Sequence, residues 1–367
     1  TEYNTAGLRF NSIDALDNRT TYVYDQFGNL VAVTNVSGKV IVYEYDLRMR
    51  KVYEGGSTYP VRYNYDIFGN KVSMMTYRDE ALGRDSGDVT TWLYDEASNC
   101  LTNKFYADGK GPSYDYSPSG NITSRIWARG IITDYAYDGW GEIVSIDYSD
   151  DTPDIMLSRN VFGNVTNVID GYGTLMYFHD EFGQIKEKKL YPHDEAGEAS
   201  SVVFHRDEFG RDVGYSLAGS RINVVRYSEK TGRVSDMYVE SSGGSFVWDY
   251  LDGSDLKSRV VYPNGDSVDF GYERRRDVLL SCSNGIHSVF TYTHNELAQA
   301  TNSSQGCYFY DDRGAIVSNM NCLGEMSLSY DDAGNRRSCD LADSRISYGV
   351  NELNQYVSID VDQTSHA

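Results

Sequence analysis

The chain has 367 residues and a formal net charge of −21. Nucleic acid is excluded as a partner, because binding a polyanion requires lysines and arginines that neutralise phosphates, and the longest basic cluster is only residues 274–276. There is no apolar run of transmembrane length and no signal peptide at the start. The acidic surface would favour basic proteins or cations, although excess acid more often serves only solubility.

From the N-terminus, the first recognisable unit is an aromatic pair followed by a polar turn that ends in glycine. Tyr22 and Tyr24 stand two residues apart, so they share one face of an extended strand. Residues 25–28 (Asp-Gln-Phe-Gly) are typical of a type I turn whose last residue is left-handed. A β-branched run follows at residues 30–34, and a second turn signal at 35–38 leads to the next aromatic pair. One repeat is therefore predicted to be a two-stranded hairpin.

The unit returns at intervals of about 20 residues, within the range that marks a repeat architecture. Only Gly and Asn take a positive φ at little cost, so the turn geometry itself can demand these residues. The predicted structural positions of the repeat are Tyr24, Asp25, Gly28, Tyr45, Asp46, Tyr65, Asp66, Gly69, Tyr94, Asp95, Tyr137, Asp138, Gly141, Tyr310, Asp311, Gly314, Tyr330, Asp331 and Gly334.

A lone hairpin is marginal in water, whereas stacked hairpins pair edge to edge and align their aromatic residues. The sequence therefore predicts an all-β fold: a single array over residues 1–367, built as one spiralling antiparallel sheet of stacked hairpins. Because equivalent positions of stacked repeats must meet, Tyr24, Tyr45, Tyr65 and Tyr137 are expected to be largely buried against the equivalent aromatics of adjacent hairpins.

Three stretches interrupt the regular spacing and are predicted to be loop insertions: residues 78–91, 191–200 and 274–288. Insertions in a repeat protein project from one face and sometimes carry its binding function. More often they are tolerated loops without a role.

The recurring Tyr-Asp-x-x-Gly pattern, best seen where residues 24–29 and 65–70 end in Gly-Asn, resembles the YD repeats of rearrangement-hotspot (Rhs) proteins. Residues 351–356 look like a common variant of it, and the resemblance covers nearly the whole chain. Two copies depart from the pattern: residues 94–99 carry Ser98 in place of the glycine, and residues 158–163 lack the Tyr-Asp pair. The family includes Rhs toxins, the B and C components of insecticidal toxin complexes, and teneurins. The resemblance implies a spiralling sheet that closes into a hollow shell, which in the toxins encloses a C-terminal effector.

One departure from the toxins concerns the end of the shell, where the resemblance implies a self-cleaving motif rich in Asp-Pro pairs. No Asp-Pro pair occurs in this chain, so neither that element nor an effector domain is carried over. The chain starts without Met and stops in mid-pattern, so we expect it to be a piece of something larger.

The residues favour no catalytic, metal or cofactor site. The YD aspartates stand at the first position of turns, where Asp caps its own backbone. The histidines have no metal-ligand spacing, there is no Gly-x-Ser-x-Gly elbow, and residues 205–207 (His-Arg-Asp) match a kinase catalytic loop only by chance. Two acidic groups lack the spacing of a calcium loop; they are Asp147, Asp150, Asp151 and Asp154, and Asp249, Asp252 and Asp255.

The five cysteines form no disulfide framework and no zinc motif, which favours isolated buried thiols. One bridge among the last four stays open as an alternative; they are Cys282, Cys307, Cys322 and Cys339.

The leading interpretation is a non-enzymatic structural segment of an Rhs-type shell, whose partner is the rest of its own polypeptide or an enclosed effector, in a secreted or cell-surface parent protein. The alternative is a cell-surface adhesion module that holds glycans or surface proteins on exposed aromatic stripes. A third interpretation, a sugar-active enzyme, would require two facing carboxylates.

Overall fold

The structure, a computed structural model, describes residues 1–79, 81, 83, 87–193, 199–285, 287–322 and 324–363. The first sheet has 21 strands. They are β1 (Glu2–Tyr3), β2 (Arg9–Ile13), β3 (Arg19–Tyr24), β4 (Leu30–Thr34), β5 (Val40–Tyr45), β6 (Lys51–Gly56), β7 (Val61–Tyr65), β8 (Lys71–Thr76), β9 (Asp88–Tyr94), β10 (Leu101–Phe105), β11 (Ser113–Tyr116), β12 (Ile122–Ile126), β13 (Ile132–Tyr137), β14 (Ile143–Tyr148), β15 (Ile155–Arg159), β16 (Val165–Ile169), β17 (Gly173–His179), β18 (Ile185–Pro192), β19 (Ser200–Arg206), β20 (Asp212–Leu217) and β21 (Ser220–Arg221).

The second sheet has 14 strands. They are β22 (Asn223–Tyr227), β23 (Val234–Val239), β24 (Gly244–Tyr250), β25 (Lys257–Val261), β26 (Ser267–Tyr272), β27 (Leu279–Asn284), β28 (Ser288–His294), β29 (Ala300–Ser303), β30 (Gly306–Tyr310), β31 (Ile316–Asn321), β32 (Gly324–Tyr330), β33 (Arg336–Leu341), β34 (Ser344–Val350) and β35 (Tyr356–Gln363). One 3-10 turn, Glu240–Ser242, joins β23 to β24, and the described residues contain no α-helix.

Strands that follow each other in the chain pair antiparallel, as the stacked hairpins predict; β7 pairs with β8 and β8 with β9, for example. The second sheet continues the first, because the Ile222 N–H donates to the Tyr215 carbonyl at 3.0 Å. The sheet is not a closed barrel, since β1 and β35 pair only with their sequence neighbours. The predicted all-β, antiparallel, winding fold is confirmed.

The two strands of each repeat are joined in one recurrent way. In β7, Tyr63 and Tyr65 are half-buried while Asn64 between them is exposed, as a period of two requires. The pairing with β8 then shifts by one residue between Asn64 and Tyr65. The same shift precedes the tyrosine of the other regular hairpins, such as those of β3 and β5. A bulge bends its strand and raises the local twist, so its repetition along one edge curves the sheet in one direction.

The predicted insertions are shorter than expected, and one is wrong. β9 begins at Asp88, inside the first, and residues 80, 82 and 84–86 of that stretch lie outside the described residues. β18 extends to Pro192 and β19 begins at Ser200, and residues 194–198 between them lie outside the described residues. The third stretch, 274–288, contains strand β27. Its spacing is irregular because the turn after Glu273 runs to Val278, one residue longer than the regular turn, with Asp277 left-handed at φ 56°.

The sheet is a single layer with almost no enclosed core. Among the described residues the only buried hydrophobic side chains are those of Tyr53, Tyr77, Val268 and Cys339. The chain exposes 22910 Å², whereas a compact monomer of 41.3 kDa would expose about 14,800 Å². Both faces of the sheet are therefore largely accessible.

Candidate functional site: the two edges of the winding sheet

The hairpin turns form two rows, one at each end of the strands. Every second turn, such as residues 25–29 after β3 and 66–70 after β7, carries the YD residues. We call this row of turns the turn edge. The intervening turns, such as residues 35–39 after β4 and 57–60 after β6, form the back edge.

The aspartate of each YD turn binds the backbone of its own turn. Oδ1 of Asp25 accepts the N–H groups of Phe27 and Asn29, each at 2.9 Å, and Oδ2 accepts the Asn29 side-chain amide at 2.9 Å. The Gly28 N–H closes the turn onto the Asp25 carbonyl at 3.2 Å, and Gly28 is left-handed at φ 86°. Oδ1 accepts from the second and fourth following residues in the same way at Asp46, Asp66, Asp138, Asp311 and Asp331. Gly69, Gly141, Gly314 and Gly334 are left-handed like Gly28.

The two departures from the repeat pattern behave differently. In the turn after β9 the Asp95 carboxylate accepts from Ser98, and the left-handed position falls to Asn99 at φ 58°, so the turn is one residue longer. In the turn after β15, Asn160 replaces the aspartate and makes the same two backbone bonds, to Phe162 at 3.0 Å and Asn164 at 3.1 Å. The turn therefore needs an acceptor oxygen rather than a negative charge.

The local bonds favour the ionised form of several of these carboxylates, as at Asp25 and Asp138. The pKa of Asp25 lies below its ordinary value because the Asn29 side chain donates to it, which outweighs partial desolvation. The pKa of Asp138 is lowered chiefly by the backbone N–H groups of Glu142 and Trp140. A carboxylate held this way is a poor general acid.

The YD tyrosine links each hairpin to the one before it. The Tyr45 hydroxyl donates to the carbonyl of Leu30, the first residue of the preceding return strand, at 2.9 Å. The bond recurs from Tyr24, Tyr65, Tyr94, Tyr137, Tyr310 and Tyr330, with distances of 2.7 to 3.2 Å, always to the first residue of the preceding return strand. Burial raises the pKa of the Tyr45 hydroxyl, which keeps it protonated as a donor.

The expected stack of tyrosines on one another is wrong. Tyr24, Tyr45, Tyr65 and Tyr137 are half-buried, and none of them belongs to a ring pair among the described residues. Cations lie over many of the rings instead; the Arg50 guanidinium is 4.7 Å from the centre of the Tyr65 ring. The bulge turns each tyrosine toward a neighbouring backbone carbonyl, where its hydroxyl is satisfied.

The turn edge of the last hairpins lies against the back edge of the first ones. The carbonyl of Arg78 accepts the N–H of Asp332 and the guanidinium of Arg337, both at 3.0 Å, and the Arg78 guanidinium donates to the Val350 carbonyl at 3.2 Å. Asp88 holds that guanidinium through two bonds of 2.6 and 2.9 Å. The chain thus returns to contact itself.

Further contacts continue this seam between successive windings. Lys39 forms an ion pair with Asp312, and the Arg313 guanidinium lies 5.8 Å from the centre of the Tyr59 ring. The paired residues on the two sides are 254 to 273 positions apart in sequence. Sequence reasoning missed these residues, because each belongs to a different turn and none repeats.

The other candidate groups are not assembled into sites. No group of three or more His, Cys, Asp or Glu side chains able to hold a metal lies within the part of the chain that the structure describes. Asp154 accepts the Tyr148 N–H at 2.8 Å, and Asp255 pairs with Arg233 at 2.7 Å. His205 contacts the Ser216 hydroxyl at 2.8 Å. All five cysteines are free, so the alternative of a bridge is wrong. None of the described helical segments is long and apolar enough to cross a membrane.

Comparison with known proteins agrees with this geometry. A family model described as RHS Repeat matches residues 3–40. No curated protein matches the sequence. The chain is similar in fold to the crystal structure of TcdB2-TccC3-Cdc42, with a TM-score of 0.64 at 13% identity over 99% of this chain and 23% of that one.

Two further structures share the fold. TcdB2-TccC3 without its hypervariable C-terminal region has a TM-score of 0.63 at 13% identity, covering 100% of this chain and 23% of that chain. The Photorhabdus luminescens Tc holotoxin pore has a TM-score of 0.62 at 13% identity, covering 99% of this chain and 23% of that chain. The chain therefore spans about a quarter of the length of the structures it matches. The chain thus carries an RHS repeat at residues 3–40 and shares its fold with these toxin-complex structures.

Proposed function

We propose that this chain is a non-enzymatic wall segment that encloses or presents another polypeptide, such as a C-terminal toxin effector. The observation that carries the proposal is a single-layer sheet that returns to contact itself after one winding. The exposed area of 22910 Å² is about one and a half times that of a compact monomer of this mass. A second, inner surface accounts for such an excess.

The length of one winding indicates how wide the enclosed space is. The seam joins Arg78, before β9, to Asp332, after β32, so 24 strands separate them. At about 4.8 Å per strand the path is about 115 Å, which corresponds to a ring about 37 Å across. Side chains occupy roughly 5 Å on each wall, which leaves about 27 Å. Because an α-helix is only about 10–12 Å wide, the space admits a polypeptide.

The partner and the location follow from the same reasoning and are proposals as well. The matched fold belongs to TcdB2-TccC3 and to a Tc holotoxin pore. A wall of this fold is best suited to contact the rest of its own polypeptide or an enclosed effector. By the same similarity we place the parent protein outside the cell that makes it, secreted or on the surface.

The geometry of the YD turns supports the absence of catalysis in this segment. The Asp331 carboxylate is 4% exposed and accepts three bonds, from the Ala333 and Asn335 N–H groups and the Asn335 side-chain amide. Three of its acceptor positions are occupied by its own turn. Asn160 serves the same purpose without a charge.

The test is native limited proteolysis of the polypeptide encoded by the full reading frame, followed by mass spectrometry. An enclosed segment should resist protease as long as the YD hairpins are folded, and become sensitive when the wall is unfolded with denaturant. Digestion of every non-YD segment at its unfolded rate, with the hairpins intact, would contradict enclosure. Hydrolysis of glycans or peptides by the purified chain, abolished by Asp331→Asn without loss of stability, would contradict the non-enzymatic assignment.

A second candidate function, adhesion through exposed rings, is favoured by Trp140 and Tyr172, which are 94% and 86% exposed. Binding of glycans to the purified chain, lost in Trp140→Ser with unchanged stability, would support it. The neighbouring coding sequence separates the two proposals, since a self-cleaving element with an effector supports the wall, whereas a membrane or wall anchor supports adhesion.

A further inference from the structure

The two faces of the sheet expose their side chains to different extents. In most YD strands the residue two positions before the YD tyrosine is aromatic, such as Tyr63 or Trp92, and it is half-buried. We call the face that carries these rings the ring face. The residue between the two positions lies on the opposite face and is exposed in most strands. Small size is not the cause, because Leu93, Phe178 and Phe309 at this position are 40 to 54% exposed.

The curvature of the winding accounts for this difference. In a ring about 37 Å across, strands about 4.8 Å apart at the backbone are about 3.5 Å apart at side-chain tips inside the ring and about 6 Å apart outside it. Side chains on the concave side therefore cover one another more than those on the convex side. The half-buried ring face is thus the inner face of the wall.

Cations lie over the rings of the inner face without carboxylate partners. Six of them are 4.1 to 5.8 Å from the centre of a ring on this face; they are Lys71, Lys104, Arg125, Lys188, Lys257 and Arg336. None of the six forms an ion pair with a described residue. The buried Nε of Arg125 has no hydrogen-bond partner in the described part of the chain either. These positive charges are therefore not neutralised by the wall itself.

The strand carboxylates on the inner face do not offset these six charges, because each already pairs with another cation. The pairs are Glu54 with Lys51, Asp88 with Arg78, and Asp212 with Arg206. The inner face consequently combines aromatic rings with an excess of positive charge, in a chain whose net charge is −21.

The outer face has the opposite character. Its strand cations pair with carboxylates, except for Arg62, which lies over the Tyr53 ring. The pairs are Arg19 with Glu2, Lys189 with Glu187, Arg226 with Asp236, Arg259 with Asp269, and Arg345 with Asp340. Further acids are exposed there, and Asp134 even lies directly opposite Asp147 on the paired strand. Like charges in that arrangement destabilise a sheet unless water screens them, so this face is suited to solvent.

We propose that the polypeptide held by this wall is acidic where it meets the inner face, and that its carboxylates pair with the lysines and arginines that lie over the rings. The inference rests on the proposed wall function and names the chemistry of the partner. The rings supply apolar contact area beside each charge.

The net charge of the chain would by itself favour a basic partner, but distance decides against it. Outer-face carboxylates lie across the sheet, about 10 Å from the tips of the inner side chains. Charges are screened within about 8 Å at physiological ionic strength. A polypeptide inside the winding therefore responds mainly to the cations of the inner face.

The first measurement is fluorescence anisotropy of a labelled, extended peptide of about 20 residues, rich in Glu with interspersed Tyr, added to the purified chain at physiological salt. The inner variant is K71Q/K104Q/K188Q. The control K189Q/R226Q/R345Q removes three positive charges from the outer face, so both variants have the same net charge. We expect the dissociation constant to rise about tenfold in the inner variant and to stay within about twofold in the control.

Cross-linking on the wild-type chain locates the contact without any substitution. A carbodiimide couples lysine amines to the carboxylates of the bound peptide, and mass spectrometry identifies the coupled lysines. Lys188 and Lys189 are neighbours in sequence on opposite faces. We expect coupling at Lys71, Lys104 and Lys188, and none at Lys189 or at the exposed turn residue Lys230.

Several outcomes would overturn the proposal. They are an acidic peptide that does not bind, equal losses of affinity in the two variants, coupling mainly at Lys189 or Lys230, and displacement of the peptide by a lower concentration of single-stranded DNA, which would assign the face to another polyanion. Protease protection in the polypeptide of the full reading frame separates this proposal from the wall itself. A protected segment rich in Lys and Arg would leave enclosure standing and overturn the acidic partner. Coupling at Lys71, Lys104 and Lys188 without any protected segment would contradict enclosure and support the acidic contact.

Discussion

The bond from each YD tyrosine to the preceding hairpin can be tested by removing one oxygen atom. Tyr65→Phe deletes the hydroxyl that donates to the Lys51 carbonyl at 3.0 Å and keeps the ring beneath the Arg50 guanidinium. A hydrogen bond of this kind contributes about 1 kcal/mol, since water can partly replace it. Tyr65→Ala also removes a half-buried ring and should cost about 3 kcal/mol in total.

Tyr63 is a matched control for this substitution. It lies two residues earlier on the same face of β7, is also half-buried, and has the Lys71 ammonium 4.1 Å from its ring centre, but its hydroxyl donates to no backbone carbonyl among the described bonds. Tyr63→Phe should therefore change the free energy of unfolding by less than about 0.5 kcal/mol.

The measurement combines denaturant unfolding with amide hydrogen exchange, because a repeat array can lose stability locally before it unfolds as a whole. Tyr65→Phe should raise exchange in β6 and β7 more than in distant hairpins. Equal losses for Tyr63→Phe and Tyr65→Phe, or no loss for either, would refute the view that the hydroxyl joins consecutive repeats.

Three further predictions concern the turns and the seam. Asp331→Asn should cost less than about 1 kcal/mol and Asp331→Ala about 2 kcal/mol in denaturant unfolding, because Asn keeps the acceptor for two part-buried N–H groups; equal losses would contradict this. The folded-state pKa values of Asp25, Asp46 and Asp138 are lowered, so the stabilisation from these carboxylates is complete above about pH 3.8 and is lost as the pH falls through the folded values. In D25N/D46N/D138N the melting temperature should therefore fall less steeply as the pH is lowered. An unchanged slope would contradict this prediction. Gly334→Ala should destabilise the protein more than Gly120→Ala, because both glycines have φ near 85–88° but only a Cβ at position 334 would meet the Tyr59 ring. Adding Tyr59→Ala to each variant should remove the difference between them. A difference that persists would argue against a clash.

The hairpin and its turn could be predicted from the sequence because their causes are local. A period of two places Tyr63 and Tyr65 on one face, and the spacing from Asp66 to Gly69 specifies the turn within four residues. The third predicted insertion failed for an equally local reason, since one additional residue in the turn after Glu273 displaced the pattern without ending it.

The partner of each tyrosine could not be predicted in the same way. The period of two gives the face of Tyr45 but not its height relative to the neighbouring hairpin, which the one-residue shift at Glu44 and Tyr45 determines. Instead of the expected contact between two aromatic rings, the Tyr45 hydroxyl donates to the Leu30 carbonyl.

The seam was beyond local reasoning altogether, because it depends on the accumulated curvature of about 24 strands. The third turn position gives no local signal of it, because the turns of the first half already mix Phe27 and Phe68 with Arg48 and Ser119.

The two kinds of contact differ in strength, and the difference has a consequence for the wall. Consecutive strands share a full ladder, as in the seven paired positions of β34 and β35, and most regular hairpins add a tyrosine bond to the one before. The seam consists of a few polar contacts around Arg78, the contact of Arg313 with the Tyr59 ring, and an exposed ion pair between Lys39 and Asp312. Exposed ion pairs of that kind contribute about 0–1 kcal/mol each. Successive windings can thus separate while every hairpin stays folded. A wall built this way opens along its seam before it unfolds, because the weakest contacts are those that join residues more than 250 positions apart.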